Sequence, residues 1–165
     1  MKTLLALVVF LAAVAESLET GGGQNVNELT DATFNSFLSV SKLAIVDFYA
    51  PWCPHCQKFA PIYKGVAKKA QSLRLDVFFA KVNCAATGKS VCKTLNVRFL
   101  PTVRVFHDGK PLGDYNGEMK EGALLEFLQK ASSSPNELKL TMSDAINNKI
   151  PSDVTPWNPE KAKHN

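Results

Sequence analysis

The chain has 165 residues, of which 45% are hydrophobic and 21% charged, and a formal net charge of +4. These proportions are ordinary for a folded globular protein, and the length suits one domain with a full core and a tail. Lys68-Lys69 is the only Lys/Arg doublet, so the sequence lacks the dense basic patch that nucleic-acid binders use. We therefore expect no nucleic-acid partner.

The first residues have the pattern of an export signal. Lys2 precedes the unbroken apolar run Leu4–Ala15, which ends in the small-x-small pattern of a cleavage site. A membrane span needs about 20 apolar residues, and neither this run nor any later stretch is long enough. Residues 1–15 are therefore predicted to be a signal peptide. This signal predicts that the rest of the chain lies in the endoplasmic reticulum lumen or is secreted. The last residues, EKAKHN, are not a Lys-Asp-Glu-Leu type retrieval signal, which leaves both locations open.

The next part of the chain alternates helix and strand patterns. A polar, Gly-rich segment at residues 16–25 is expected to be flexible. Residues 27–38 predict a helix, with Thr30 or Asp31 as its N-cap. Residues 42–49 predict a buried strand, in which Asp47 is out of place as a charge. A helix that begins near Cys53 is predicted to follow.

The second half of the domain continues this alternation. The patterns predict a strand at 75–83, a short helix at 87–95, a strand at 102–110 that ends in an Asp-Gly turn, a returning hairpin strand at 111–117 and an amphipathic helix at 118–130. This order predicts an α/β fold with a mixed central β-sheet flanked by helices. We expect the domain to cover residues 26–131. Residues 132–165 are predicted to be a loosely ordered C-terminal tail with one short helix near 142–147.

The segment FYAPWCPHCQKF holds two cysteines, Cys53 and Cys56, where a strand leads directly into a helix. Unpaired N–H groups and the positive end of the helix dipole stabilise a thiolate at such a position. We expect Cys53 at the mouth of the helix to attack, and Cys56, one turn in and more buried, to resolve the mixed disulfide. An imidazolium at His55 favours the Cys53 thiolate and makes the disulfide more oxidising.

The other two cysteines, Cys84 and Cys92, test the alternative of a zinc site. Structural zinc commonly takes two closely spaced ligand pairs, and this second pair is too widely spaced to supply one. We therefore expect no metal and no organic cofactor. In an oxidising compartment the Cys84 and Cys92 pair is predicted to form a structural disulfide. A second redox pair that relays electrons to Cys53 and Cys56 is the alternative.

Taken together, VDFYAPWCPHCQKFAP and LPTVRVF resemble the catalytic thioredoxin-like domains of protein disulfide isomerases. The resemblance extends from about Val26 to Ala131 and implies a thioredoxin-like fold. It implies that Pro101 is a cis-proline facing the dithiol and that Asp47 is a buried proton acceptor. It further implies that Lys81 pairs with Asp47 and that Arg98 approaches the resolving cysteine. Pro54 departs from the usual Cys-Gly-His-Cys motif, in a variant found in strongly oxidising enzymes.

The resemblance also implies how clients are held. The loop that contains Leu100 and Pro101 pairs with an extended substrate backbone, and Trp52, Tyr49 and Phe99 are expected to line an apolar docking patch. We therefore predict a monomeric thiol–disulfide oxidoreductase whose partners are client proteins with thiols or disulfides. An upstream thiol oxidase or glutathione is expected to exchange electrons with the dithiol. A noncatalytic binding or escort module and a thioredoxin-like reductase are the alternatives.

Overall fold

The computed structural model describes residues 26–134 and, farther along, the backbone of residues 155 and 156. The predicted signal peptide (1–15), the flexible segment (16–25) and the short helix near 142–147 lie outside the described residues. No helix in the described part of the chain is both long and apolar enough to cross a membrane.

Seven strands and four helices make up the described residues. In chain order they are β1 (Asn27–Leu29), α1 (Phe34–Val40), β2 (Leu43–Tyr49), α2 (Pro54–Ser72), β3 (Phe78–Asn83), α3 (Lys89–Thr94), β4 (Phe99–Leu100), β5 (Thr102–His107), β6 (Lys110–Asp114), α4 (Glu121–Ser133) and β7 (Thr155–Pro156). Five strands form one sheet in the order β1-β3-β2-β5-β6. β1 and β2 run parallel to β3, whereas β5 pairs antiparallel with β2 and β6 pairs antiparallel with β5. The predicted mixed sheet is confirmed.

The sheet separates two core layers because β2 lies at its centre and is covered on both faces. Alternate residues of β2 point to opposite faces, as the period of a strand requires. Val46 and Phe48 pack with α1 and α3, whereas Leu43 and Ile45 pack with α2 and α4. Helices on both faces thus bury the central strand. The two cysteines of the Cys-x-x-Cys segment follow its carboxyl end, where α2 begins.

Strand β1 corrects the predicted helix over residues 27–38. Asn27–Leu29 pairs with β3, and the helix starts only at Phe34. Neither proposed N-cap is used by this helix: its N-cap is Thr33, which makes no side-chain cap hydrogen bond. The Asp31 carboxylate instead accepts the N–H groups of Ser90 and Val91 at the start of α3. A three-residue edge strand with one buried side chain leaves little periodicity to detect.

The remaining differences concern the ends of elements. The strand expected at 75–83 begins at Phe78, because residues 75–77 still belong to the turn after α2: the Leu75 N–H donates to the Ala70 carbonyl oxygen, and the Val77 N–H donates to the Leu75 carbonyl oxygen. The Asp-Gly turn forms as predicted between β5 and β6, with φ of 48° at Asp108 and 74° at Gly109. Two short strands were not predicted: β4, and β7 in the tail, which pair with each other antiparallel.

Candidate active site

The two cysteines of the Cys-x-x-Cys segment lie in the first turn of α2. Cys53 is the N-cap, and its Sγ accepts a hydrogen bond from the Cys56 backbone N–H at 3.3 Å. Both are free thiols. The expectation that Cys53 is the more exposed of the two is wrong, since Cys53 is 0% exposed and Cys56 3%. Both cysteines belong to the core cluster that also contains Leu100, which explains the burial.

A cis peptide bond joins Leu100 to Pro101, as the resemblance implied. Both residues are buried. The Cys53 thiol donates to the Leu100 carbonyl oxygen, with 3.7 Å between sulfur and oxygen. The segment before Pro101 therefore faces the dithiol through its main chain.

Asp47 lies on β2, buried to 4% exposure, on the face of the sheet that α2 covers. No hydrogen-bond partner reaches its Oδ1 atom within the part of the chain that the structure describes. Burial raises the pKa of Asp47 to about 7, and the charge of Lys81 only partly opposes this shift. A carboxyl group with this pKa exchanges protons readily near neutral pH.

The resolving position differs chemically from an ordinary cysteine. Burial raises the pKa of Cys56 well above its usual range, and the hydrogen bond to Cys53 and the charges of Cys53 and Asp47 add to the shift. An N–H···S hydrogen bond from the Ala50 backbone acts in the opposite direction. A Cys56 thiolate is therefore costly, so it needs a nearby proton donor when it leaves a disulfide.

Lys81 does not bond directly to Asp47, which corrects the expected ion pair. Its ammonium lies 2.9 Å from a carboxylate oxygen of Glu28. The Tyr49 hydroxyl donates to the other oxygen of Glu28 at 2.7 Å, and Lys81 Nζ lies 5.2 Å from the centre of the Tyr49 ring. Lys81 thus acts on Asp47 only through space. Sequence reasoning missed Glu28, because it placed this residue in a helix.

The other predicted site residues occupy less specific positions. His55 and Arg98 are exposed, and the Arg98 guanidinium faces the Asn96 side chain rather than Cys56. Trp52 and Tyr49 are half-buried against the cluster that holds the dithiol. The indole N–H of Trp52 has no acceptor among the described residues, so it is available to a partner. The Tyr49 hydroxyl is engaged with Glu28, which leaves only the ring for an apolar contact.

Cys84 and Cys92, predicted to form a structural disulfide, are bonded to each other, with their Cα atoms 5.7 Å apart. Both are fully buried in the same cluster as the dithiol. The enclosed loop packs tightly: a Cβ on Gly88 would clash with a Val82 methyl group, so no side chain fits there. Residues 26–134 contain no group of three metal-ligating side chains.

Comparison with known proteins agrees with this geometry. The thioredoxin family model matches residues 25–130. The chain belongs to the thioredoxin family. Among curated relatives, it is 34% identical over 74% of its length to a probable protein disulfide-isomerase ER-60 of Schistosoma mansoni. It is 35% identical over 86% of its length to the protein disulfide isomerase-like 2-2 of Oryza sativa subsp. japonica. These relatives place the chain with the protein disulfide isomerases.

Among solved structures, thioredoxin F from spinach chloroplast superposes with a TM-score of 0.57 at 30% identity, covering 67% of this chain and 88% of that one. The predicted thioredoxin-like fold is confirmed. The chain covers only 25% of the Schistosoma relative and 38% of the rice relative. The similarity therefore concerns one domain of longer proteins.

Proposed function

We propose that the chain is a thiol–disulfide oxidoreductase of the protein disulfide-isomerase type, acting on client proteins of the secretory pathway. The observation that carries this proposal is the pair of free thiols, Cys53 and Cys56, at the start of α2. The pair faces the segment that contains the cis-proline Pro101, and the charge of the buried Asp47 carboxyl group acts on the pKa of Cys56. The apolar run before Ala15 supports the endoplasmic reticulum lumen or the cell exterior as its location.

The first half of the reaction starts from an oxidised Cys53–Cys56 disulfide. A client thiolate attacks Cys53 Sγ, a client–Cys53 bond forms, and the bond to Cys56 breaks. Cys56 leaves with the electron pair. Because the raised pKa of Cys56 makes its thiolate costly, a proton from Asp47 stabilises this leaving group.

The second half completes the transfer. A second client thiolate attacks the client sulfur of the mixed disulfide and releases the Cys53 thiolate. The client has then lost two electrons and two protons and gained a disulfide, and the dithiol is reduced. In the reverse direction the Asp47 carboxylate accepts the proton of Cys56, so that Cys56 can release a trapped client. Glutathione disulfide or a thiol oxidase returns the dithiol to its oxidised form.

Replacing one cysteine at a time tests these roles. With a client protein that carries disulfides, Cys56→Ala is expected to accumulate a covalent adduct between Cys53 and the client, because no Cys56 thiol remains to release it, while turnover falls to background. The control variant Cys53→Ser should give neither adduct nor turnover. A wild-type chain that binds the client, yet never changes its thiol content, would instead be a binding or escort module.

The equilibrium reduction potential of the pair tests its direction. A value of about −180 mV or higher supports disulfide formation or isomerisation. A value near that of thioredoxin, about −270 mV, would contradict the oxidising assignment and identify a reductase. The measurement uses the full chain equilibrated in glutathione buffers of defined ratio, with the two thiols counted by alkylation and mass.

A further inference from the structure

Three charged residues form one row across the parallel half of the sheet. Glu28 on β1 lies directly beside Lys81 on β3, and Lys81 lies directly beside Asp47 on β2. Neighbouring positions on adjacent strands place their side chains on the same face, within reach of one another. Lys81 therefore stands between two carboxyl groups, one at the edge of the sheet and one in its interior.

The lysine bonds the outer carboxylate. Glu28 Oε2 lies 2.9 Å from Lys81 Nζ, and the Tyr49 hydroxyl holds the other oxygen of Glu28 at 2.7 Å. The Lys81 side chain is 31% exposed, whereas Asp47 is 4% exposed and its Oδ1 has no hydrogen-bond partner among the described residues. Because water solvates the outer pair, the lysine gains a partner there without being desolvated beside Asp47.

We propose that Glu28 is a positioning residue for the dithiol chemistry: with Tyr49 it holds the Lys81 ammonium at the sheet edge and so keeps Asp47 without a direct cationic partner. This inference rests on the proposed function, in which Asp47 carries the Cys56 proton. A tight Lys81–Asp47 pair would hold the carboxylate ionised at neutral pH. Asp47 would then have no proton to give when Cys56 leaves the disulfide.

The groups around Asp47 support this arrangement. On its own strand the titratable neighbour is Tyr49, and on α2 the neighbours are Cys56 and Tyr63, all three of which respond to the charge of Asp47. Its neighbour on β5 is the apolar Val103. Among the described residues whose charges act on Asp47, Lys81 is the cation, so its distance determines how far its charge offsets the effect of burial on the pKa of Asp47.

The test is Glu28→Gln in the full, reduced chain, with the titration of Asp47 followed by carbon NMR of its carboxyl group. Glutamine keeps the size and the acceptor for Tyr49 but removes the charge that holds the ammonium. We expect the midpoint of Asp47 to fall by roughly one pH unit as Lys81 turns to it. Tyr49→Phe, which removes one hydrogen bond to Glu28, should shift it less in the same direction.

Two comparisons make this outcome specific. The matched control Glu126→Gln also removes an exposed ion pair, with Lys130 on α4, and should leave the midpoint unchanged. In a Lys81→Met background, Glu28→Gln should no longer lower the midpoint, because Glu28 acts through the lysine. An unchanged midpoint in Glu28→Gln, or an equal fall in the Lys81→Met background, would overturn the inference.

The catalytic readout is the pH dependence of mixed-disulfide release. In Glu28→Gln its inflection is expected to move to lower pH by the same amount as the NMR midpoint. The NMR titration requires no client, so it separates this inference from the proposed function. A shifted midpoint in a chain that never exchanges disulfides would refute the proposed function and leave the positioning of Lys81 standing.

Discussion

The two cysteine pairs lie just beyond the carboxyl ends of neighbouring parallel strands, and all four sulfurs belong to one core cluster. Tyr49 and Asn83, the last residues of β2 and β3, are paired, and the Cys84 N–H bonds to the Tyr49 carbonyl oxygen at 2.9 Å. Burial is therefore common to both pairs. What differs is the local chain: Cys53 and Cys56 share a helical turn, whereas Cys84 and Cys92 close a loop between strand and helix.

The surroundings of the two pairs also act on stability in opposite directions. The Cys84–Cys92 bond restricts the unfolded chain and so favours the folded state. The dithiol has the buried carboxyl group of Asp47 nearby, one oxygen of which has no hydrogen-bond partner in the part of the chain that the structure describes. When ionised, such a carboxylate disfavours folding. The disulfide therefore contributes stability, whereas the ionised Asp47 near the dithiol reduces it. The three predictions below test this contrast, beginning with the largest effect.

The largest expected effect is on the stability of Asp47→Asn. Because the pKa of Asp47 rises from 3.8 unfolded to about 7 folded, its protonated form favours folding below pH about 4, and this stabilisation is lost as pH rises through 7. The neutral Asn removes that loss. We expect it to raise the free energy of unfolding by roughly 4 kcal/mol at pH 8, and hardly at all at pH 4.

Urea unfolding of the reduced protein at several pH values measures this difference. The exposed Asp108→Asn in the turn between β5 and β6 serves as the control and should follow the wild type. Equal stability of Asp47→Asn and the wild type at pH 8 would mean that the buried carboxylate costs nothing. The variant should also lose the inflection near pH 7 in mixed-disulfide release.

A smaller loss of stability is expected when the second pair is removed. The double variant Cys84→Ala/Cys92→Ala opens a loop of about nine residues, which the chain-entropy account values at about 2.5 kcal/mol. For a domain of this size that corresponds to a melting temperature lower by about 10–20 °C. Client turnover well below the melting temperature should stay within about twofold. Loss of turnover without loss of stability would show instead that this pair relays electrons.

The smallest effect is expected from His55, whose side chain is exposed. The predicted role of His55 is to favour the reduced form of the pair, so His55→Ala should lower the reduction potential and make the pair less oxidising. We expect a change of no more than about 30 mV, equivalent to tenfold in the equilibrium constant. His107→Ala is the matched control, since His107 pairs with Leu43 at the opposite end of β2. A rise in potential would reverse the role assigned to His55.

Much of the fold could be predicted from the periodicity of apolar residues. In a long apolar run such as β2, or an amphipathic helix such as α4, the local sequence pattern itself shows which residues are buried. The edge strand β1 lacks such a pattern, since only Leu29 of its three residues is buried and its partners lie on β3. That single error propagated to the site. Because residue 28 was placed in a helix, Asp47 was the only partner that the sequence suggested for Lys81, and the ion pair with Glu28 could not be predicted.

Other features of the site depended on packing that no local pattern contains. The motif located Cys53 and Cys56, and the resemblance located Pro101. Cys53 is fully buried in a cluster that includes Leu100, which lies far along the chain and accepts a hydrogen bond from the Cys53 thiol. The likewise unforeseen capping of α3 by Asp31 joins residues on two elements that are close only after folding.

The zero exposure of Cys53 has a consequence for kinetics. A sulfur atom without accessible surface reacts only during openings of its surroundings, so its labelling rate is the product of an opening equilibrium and an intrinsic rate. For a small alkylating reagent, the comparison of the native and denatured chains then measures the fraction of time that the site is open. Reactivity at this position is in that sense a measurement of local motion as well as of thiol chemistry.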